Sequence, residues 1–206
     1  MSYRLKLIIA LASIMMLAAG CLPTKVVSLK DPMYNNMTFK RILVIADLQR
    51  IEEMKGLEDE IVYEMYSGGT YAVENYKLLP PIREYTSEER SNALKKYNFD
   101  GYLLVTPQGF QTTKVYVPDV ERRKVTTIRD SVSVSRETSR TVIPGGEMIV
   151  PTKFNTQIKF VDMKNGNVVW QSDTETEMNK DSKMNAVILS LSRELVKQLR
   201  LDGVIK

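Results

Sequence analysis

The chain has 206 residues, 43% of them apolar and 26% charged, with 29 Lys and Arg against 25 Asp and Glu. Its net charge of +4 falls to about +2 once Arg4 and Lys6, the only charges in the first twenty residues, are set aside, too little for the basic face of a nucleic-acid binder. It has no histidine and one cysteine, Cys21, which excludes a Ser-His-Asp triad, an intrachain disulfide and the commonest metal ligand.

Residues 1–20 have the layout of an export signal. Arg4 and Lys6 precede the apolar run Leu7–Leu17, which is shorter than the 20 or so residues of a membrane-spanning helix, and small residues follow at Ala18, Ala19 and Gly20. Leu17-Ala18-Ala19-Gly20-Cys21 resembles the lipobox of bacterial lipoproteins. The resemblance implies that signal peptidase recognises Leu17, Ala18, Ala19 and Gly20, and that Cys21 becomes the first residue of the mature chain and carries a covalent lipid. Leu22, where an aspartate would retain an enteric lipoprotein in the inner membrane, resembles the outer-membrane sorting pattern. A cleaved signal without lipid and a buried helix with an incidental cysteine are the competing readings. A lone thiol in an exported chain has no partner for a disulfide, and two or three acyl chains hold a protein durably where one holds it marginally.

Residues 22–39 carry Pro23, Pro32, Asn35 and Asn36 without a sustained period. They read as a tether behind Cys21, able to span about 60 Å if fully extended; an edge strand is the alternative. Arg41–Ala46 is a continuous apolar run, expected as a strand buried on both faces. Ile51, Met54, Leu57, Ile61 and Met65 recur at helical spacing up to Gly68-Gly69. Glu52, Glu53, Glu58, Asp59, Glu60 and Glu64 fill the intervening positions and are expected on the solvated face. Asn75–Leu79 reads as a short strand stopped by Pro80-Pro81. Thr86-Ser87-Glu88-Glu89 is a capping box opening a helix to about Tyr97, and Tyr102–Val105 is a third buried strand.

From residue 112 the pattern changes. Thr112–Val117 alternates up to Pro118, and residues 122–143 mix Ser, Thr and charge, as a long twisted hairpin or a mobile insertion. Asn155–Asp162 and Asn167–Thr176 alternate as two strands joined through Asn165-Gly166, a hairpin signal, with Trp170 expected in the core. Met184, Val187, Ile188, Leu191, Leu195 and Leu199 line a closing helix, capped by Ser182 or Asp181 and stopped at Gly203. The expected fold class is α/β (α+β): one mixed sheet with helices packed on it and an antiparallel C-terminal hairpin. The expected organisation is a signal peptide over 1–20, lipidated cysteine and tether over 21–39, and an α/β domain over 40–206 with an insertion at about 112–143.

The buried first strand, the acidic helix, Phe99-Asp100-Gly101-Tyr102-Leu103-Leu104-Val105 and the segment from Phe160 to Trp170, with Asp162, Gly166 and Trp170 at fixed spacing, resemble small α/β envelope lipoproteins. That group includes the curli-secretion lipoprotein, the activator lipoproteins of peptidoglycan synthases and the amino-terminal domain of TolB. The resemblance covers roughly 40–205. It implies the fold and a habit of acting through protein contacts, and it assigns no site residue.

No catalytic constellation stands out. The glycine pairs lack the spacing and lysine of a phosphate loop. No catalytic residue, metal ligand or cofactor is therefore expected, apart from the covalent lipid on Cys21. The chain reads as a non-catalytic binding or envelope-assembly module on the periplasmic face of the outer membrane. Its partners would be the membrane through its lipid, envelope proteins, and no nucleic acid. A carboxylate-dependent hydrolase using Asp47 and Asp100 is the alternative and predicts one cleft holding both acids. A secretion-pore subunit is the third reading. It requires an apolar face on the 124–137 strands, yet both alternating sets contain charge, at about 2–4 kcal/mol for each Arg or Lys at the bilayer midplane.

Overall fold

The computed structural model describes residues 22–129, 134–179 and 181–206. Its eight strands are β1 (Thr24–Lys30), β2 (Arg41–Ala46), β3 (Tyr71–Glu74), β4 (Gly101–Val117), β5 (Val120–Arg129), β6 (Val134–Ile143), β7 (Gly146–Asp162) and β8 (Val168–Glu177). Its helices are α1 (Ile51–Ser67), α2 (Asn75–Leu78), α3 (Ser87–Lys95) and α4 (Met184–Leu201). The described residues form two units, one running from Leu22 to Gln111 and from Thr152 onward, the other Thr112–Pro151.

The first unit is built on a mixed sheet in the order β1-β8-β7-β4-β2-β3. β2 pairs in parallel with β3 and with β4, while β8 pairs antiparallel with β1 and with β7. Met163 N donates to Asp100 O and Thr152 Oγ1 to Gln111 O, so β7 runs against β4. The strand period sorts β2 into two buried sets. Ile42, Val44 and Ala46 pack with Met54, Leu57, Ile61 and Met65 of α1 and with Val187, Leu191, Leu195 and Leu199 of α4. Leu43 and Ile45 face Leu79, Pro81, Tyr85 and Leu94 on the other side. Both faces are covered, as the unbroken apolar run requires. Trp170 is buried, and its Nε1 donates to Asp202 Oδ2 at 2.7 Å, pinning the end of α4 to β8.

Several expectations need correction. Residues 22–39 are not a tether: β1 is an edge strand in register from Thr24↔Thr176 to Lys30↔Trp170, followed by a 3-10 turn at Pro32–Tyr34. Thr24, Val26 and Ser28 face the core side, and the polarity of Thr24 and Ser28, with two prolines nearby, hides the strand from a hydrophobicity pattern. Asn75–Leu79 is no strand; the strand is Tyr71–Glu74, where Ala72 and Glu74 turn inward, and α2 begins at Asn75. Glu58 leaves the solvated face altogether: it is fully buried, and its carboxylate accepts from Ala46 N and Tyr76 N, both at 2.9 Å. That buried carboxyl accepts from a first-turn N–H of α2, a tertiary reason for the chain to turn helical there. Neither Ser182 nor Asp181 caps α4; Lys183 holds the cap position, and Ser182 bonds Asn179 instead. The capping box at Thr86 and Glu89 is formed in both directions, at 3.2 and 2.9 Å.

The second unit holds the β5–β6 ribbon, paired from Val120↔Ile143 to Arg129↔Val134. Of the two expectations for the insertion, the hairpin is the one formed. Its base is closed by Gly145 N donating to Asp119 Oδ1 at 2.6 Å and by Lys114 with Glu147 at 2.9 Å.

Candidate functional site

Leu17, Ala18, Ala19, Gly20 and Cys21 lie outside the described residues. Leu22 is described and belongs to the fold: its side chain packs on the hydrophobic core, and its carbonyl accepts from Ser190 Oγ on α4. A hydroxyl chain continues this attachment, with Thr24 Oγ1 at 2.8 Å from Ser190 Oγ and 2.9 Å from Thr176 Oγ1. Pro23 O accepts from Glu177 N at 2.9 Å, and Thr152 O accepts from Met178 N at 2.7 Å. The end of the sheet where the chain enters is thus also where it leaves for the ribbon at Gln111 and returns at Thr152.

At the same end, beyond the carboxyl terminus of β2, lies a crevice of about 540 Å³. β2 has β3 on one side and β4 on the other, so this is where the order of the parallel strands reverses, the usual place for a ligand in an open sheet. Its walls include Phe110 and Phe154, 5.0 Å apart and tilted, with Met184 and Leu48, while Asp47, Arg50 and Glu53 supply charge. Arg50 Nη1 is 2.7 Å from Glu53 Oε1. The crevice therefore combines an apolar wall with a rim whose net charge is negative, suited to a group with an apolar body and a positive end.

The two acids of the hydrolase reading do not share this crevice. Asp47 follows the carboxyl end of β2, its N donating to Val105 O. Asp100 sits at the opposite end, where its Oδ2 accepts from Lys40 N and Arg41 N at 3.0 and 3.1 Å. A six-residue strand of about 20 Å separates them, so Asp100 ties down the start of β2 and no carboxylate pair forms.

Two other carboxylates are electrostatically distinctive. Burial pushes Glu58 above its ordinary value, against the lowering effect of its bonds from Ala46, Tyr76 and Asn75. For Asp202, burial also pushes upward. Bonds from Ser28, Trp170 and Gln198 and the charge of Lys30 outweigh it, and the carboxyl lies below its ordinary value. Both act on backbone or side-chain donors of the fold, which sequence reasoning missed because the partners are distant in the chain.

This is an α+β domain, a mixed six-stranded sheet with helices packed on it. No family model matches the chain, and no curated protein matches it. Among solved structures it is similar to the PelC dodecamer from Paraburkholderia phytofirmans, at 12% identity over 89% of this chain and 100% of that one, with a TM-score of 0.48. It is also similar to lipoprotein GNA1162 from Neisseria meningitidis, at 11% identity over 79% and 99%, with a TM-score of 0.41. A third is protein XCC0632 from Xanthomonas campestris, at 11% identity over 90% and 97%, with a TM-score of 0.43. At such identities and scores the likeness transfers no site, ligand or partner to this chain.

Proposed function

We propose that the protein is a lipid-anchored lipoprotein of the outer membrane, facing the periplasm, and that it acts without catalysis as a binding or assembly module. The observation that carries this reading is where the fold begins. Leu22 is docked and β1 starts at Thr24, so a cut ahead of Cys21 would leave the domain whole and put the lipid at its boundary. The anchor then gives no reach. Leu22 and Pro23 alone intervene, and the sheet stands within about 10 Å of the lipid surface.

The separation of Asp47 from Asp100 takes away the motivation for the hydrolase reading. The crevice beside Phe110 and Phe154 is the surface offered to a partner, one presenting an apolar side chain next to a basic group. Replacing Cys21 with Ala tests the anchor: intact mass should show an unlipidated precursor that keeps residues 1–20. A variant processed normally and still held in the membrane would overturn the assignment.

A further inference from the structure

We propose that the open edge of β1 is a homodimer interface, on which a second copy of this chain adds its own β1 antiparallel about a two-fold axis at Ser28. The first observation is the ladder. Asp31 N donates to Val169 O and Pro23 O accepts from Glu177 N, at 2.8 and 2.9 Å. Both bonds continue the register that runs from Thr24↔Thr176 to Lys30↔Trp170, so the odd-numbered residues spend their backbone groups on β8. Backbone groups alternate in direction along an antiparallel strand, and those of Val26, Ser28 and Lys30 point away from β8. Among the described residues β8 is the only strand beside β1, and nothing bonds those outward groups. Sheet edges are ordinarily blunted by a bulge or proline within the strand, or by charge. Here the register is unbroken, and Pro23 and Pro32 stand outside the strand. Its inward charge, Lys30, is tied to the carbonyls of Asp202 and Gly203.

The second observation is what an axis at Ser28 brings together. Ser28 meets Ser28 of the second copy, Val26 meets Lys30, and each such pair exchanges backbone bonds. On the outer face Val27 falls opposite Leu29, and Lys25 opposite Asp31. Val27 and Leu29 are 60% and 78% exposed, and Pro32 and Val168 lie beside Leu29. Lys25 has no ion partner among the described residues. Asp31 uses one carboxylate oxygen, on Met33 N at 2.9 Å, which leaves the other for Lys25 of the second copy. Apolar thus meets apolar and cation meets anion, each twice by symmetry, the self-complementarity that a two-fold contact requires. A foreign strand of one charge would match only one end of β1. Moving the axis to Val27 would set Lys25 against Leu29 and Asp31 against Pro23. The pairing needs no lipid on Cys21 and is separate from the crevice beside Phe110 and Phe154.

The test uses the full chain in mild detergent, followed by sedimentation equilibrium. The wild type should pass from monomer to dimer as concentration rises. L29K should raise the dissociation constant by more than about tenfold, because each altered pair occurs twice. K25E should weaken the dimer by setting like charges opposite one another, and D31N, which keeps a capping side chain, should relieve part of that loss. I82S removes an apolar side chain that is 83% exposed elsewhere and should change nothing. Oxidation tests the register independently of stability. Opposed residues that share no backbone bonds have Cα atoms about 4.5 Å apart, within disulfide reach. Mixed V27C and L29C chains should therefore form a 27–29 disulfide, identified by peptide mass, and each variant alone should form far less. A chain that stays monomeric at every concentration overturns the homodimer, as does a dimer that survives L29K. Disulfide that forms as readily in V27C alone as in the mixture puts the axis at Val27 and overturns this register. Backbone exchange in β1 that slows only when a foreign protein is added to a monomeric chain overturns the second copy as occupant.

Discussion

At the scale of single residues, Glu58 shows how far a carboxylate's role depends on its surroundings. Five acidic neighbours on α1 remain at least partly solvent-accessible, while Glu58 is 0% exposed and spends both oxygens on backbone donors from β2 and α2. An amide can accept with one side only, so its NH₂ would confront either Ala46 N or Tyr76 N. Glu58→Gln should cost about 1–3 kcal/mol, measured as a lowered denaturant midpoint with an unchanged slope. The sign of the pH effect follows from the raised value: the favourable contribution is complete below the ordinary 4.5 and is lost as pH rises through the folded value. The gap between wild type and variant should therefore narrow with rising pH above that range. Leu22 adds a lesson of its own. Its side chain packs on the core, so a Leu22→Asp substitution probes folding as well as membrane sorting, and the two are separated only by measuring stability alongside location.

At the scale of elements, α4 is held in its first half and at its end by groups from β1 and β8. Thr24, Thr176 and Ser190 hydroxyls meet in its first half, at its second turn. At its end, Asp202 accepts from Trp170, Ser28 and Gln198, while Lys30 Nζ donates to the carbonyls of Asp202 and Gly203 at 3.1 and 2.9 Å. The depressed carboxyl of Asp202 contributes stability that is present above the unfolded value near 3.8 and lost as pH falls through the folded one. Asp202→Asn should destabilise the protein by about 1–3 kcal/mol near neutral pH, because charged acceptors bind these donors more strongly. The deficit should shrink below pH 4. Trp170 fluorescence during urea unfolding at several pH values measures both. The edge strand β1 matters to the same lock, since it supplies Ser28 and Lys30 and is itself invisible to apolar patterning.

At the scale of the molecule, the large hydrophobic cluster, among the described residues, lies wholly in the first unit, from Tyr34 to Ile205 without a member between Gln111 and Thr152. The second unit adds a ribbon whose pairing is internal to it. Replacing Thr112–Pro151 by Asn-Gly, the dipeptide suited to a tight hairpin, should leave the first unit folded and unfolding in one cooperative step, read by circular dichroism and Trp170 fluorescence. Loss of cooperative unfolding would show that the ribbon is needed for the core. The same molecule-scale view explains why Asp47 and Asp100 form no carboxylate pair: both flank buried strands, yet β2 puts its whole length between them.

The sequence by itself determined what is local. The 3.6 period of α1 and α4, the reciprocal cap at Thr86 and Glu89, the apolar run of β2 and the alternation around Trp170 each depend on neighbours a few positions away. Only the tertiary structure decided what depends on distant partners. β1 exists because β8 offers it a ladder, and its polar inward residues are stabilised by Ser190, Thr176 and Asp202, which no window on residues 24–30 contains. Glu58 is buried because β2 and α2 present unpaired donors there. The pairing of β5 with β6 joins residues up to twenty-three positions apart, and β1 finds its ladder on β8, far along the chain from residues 24–30.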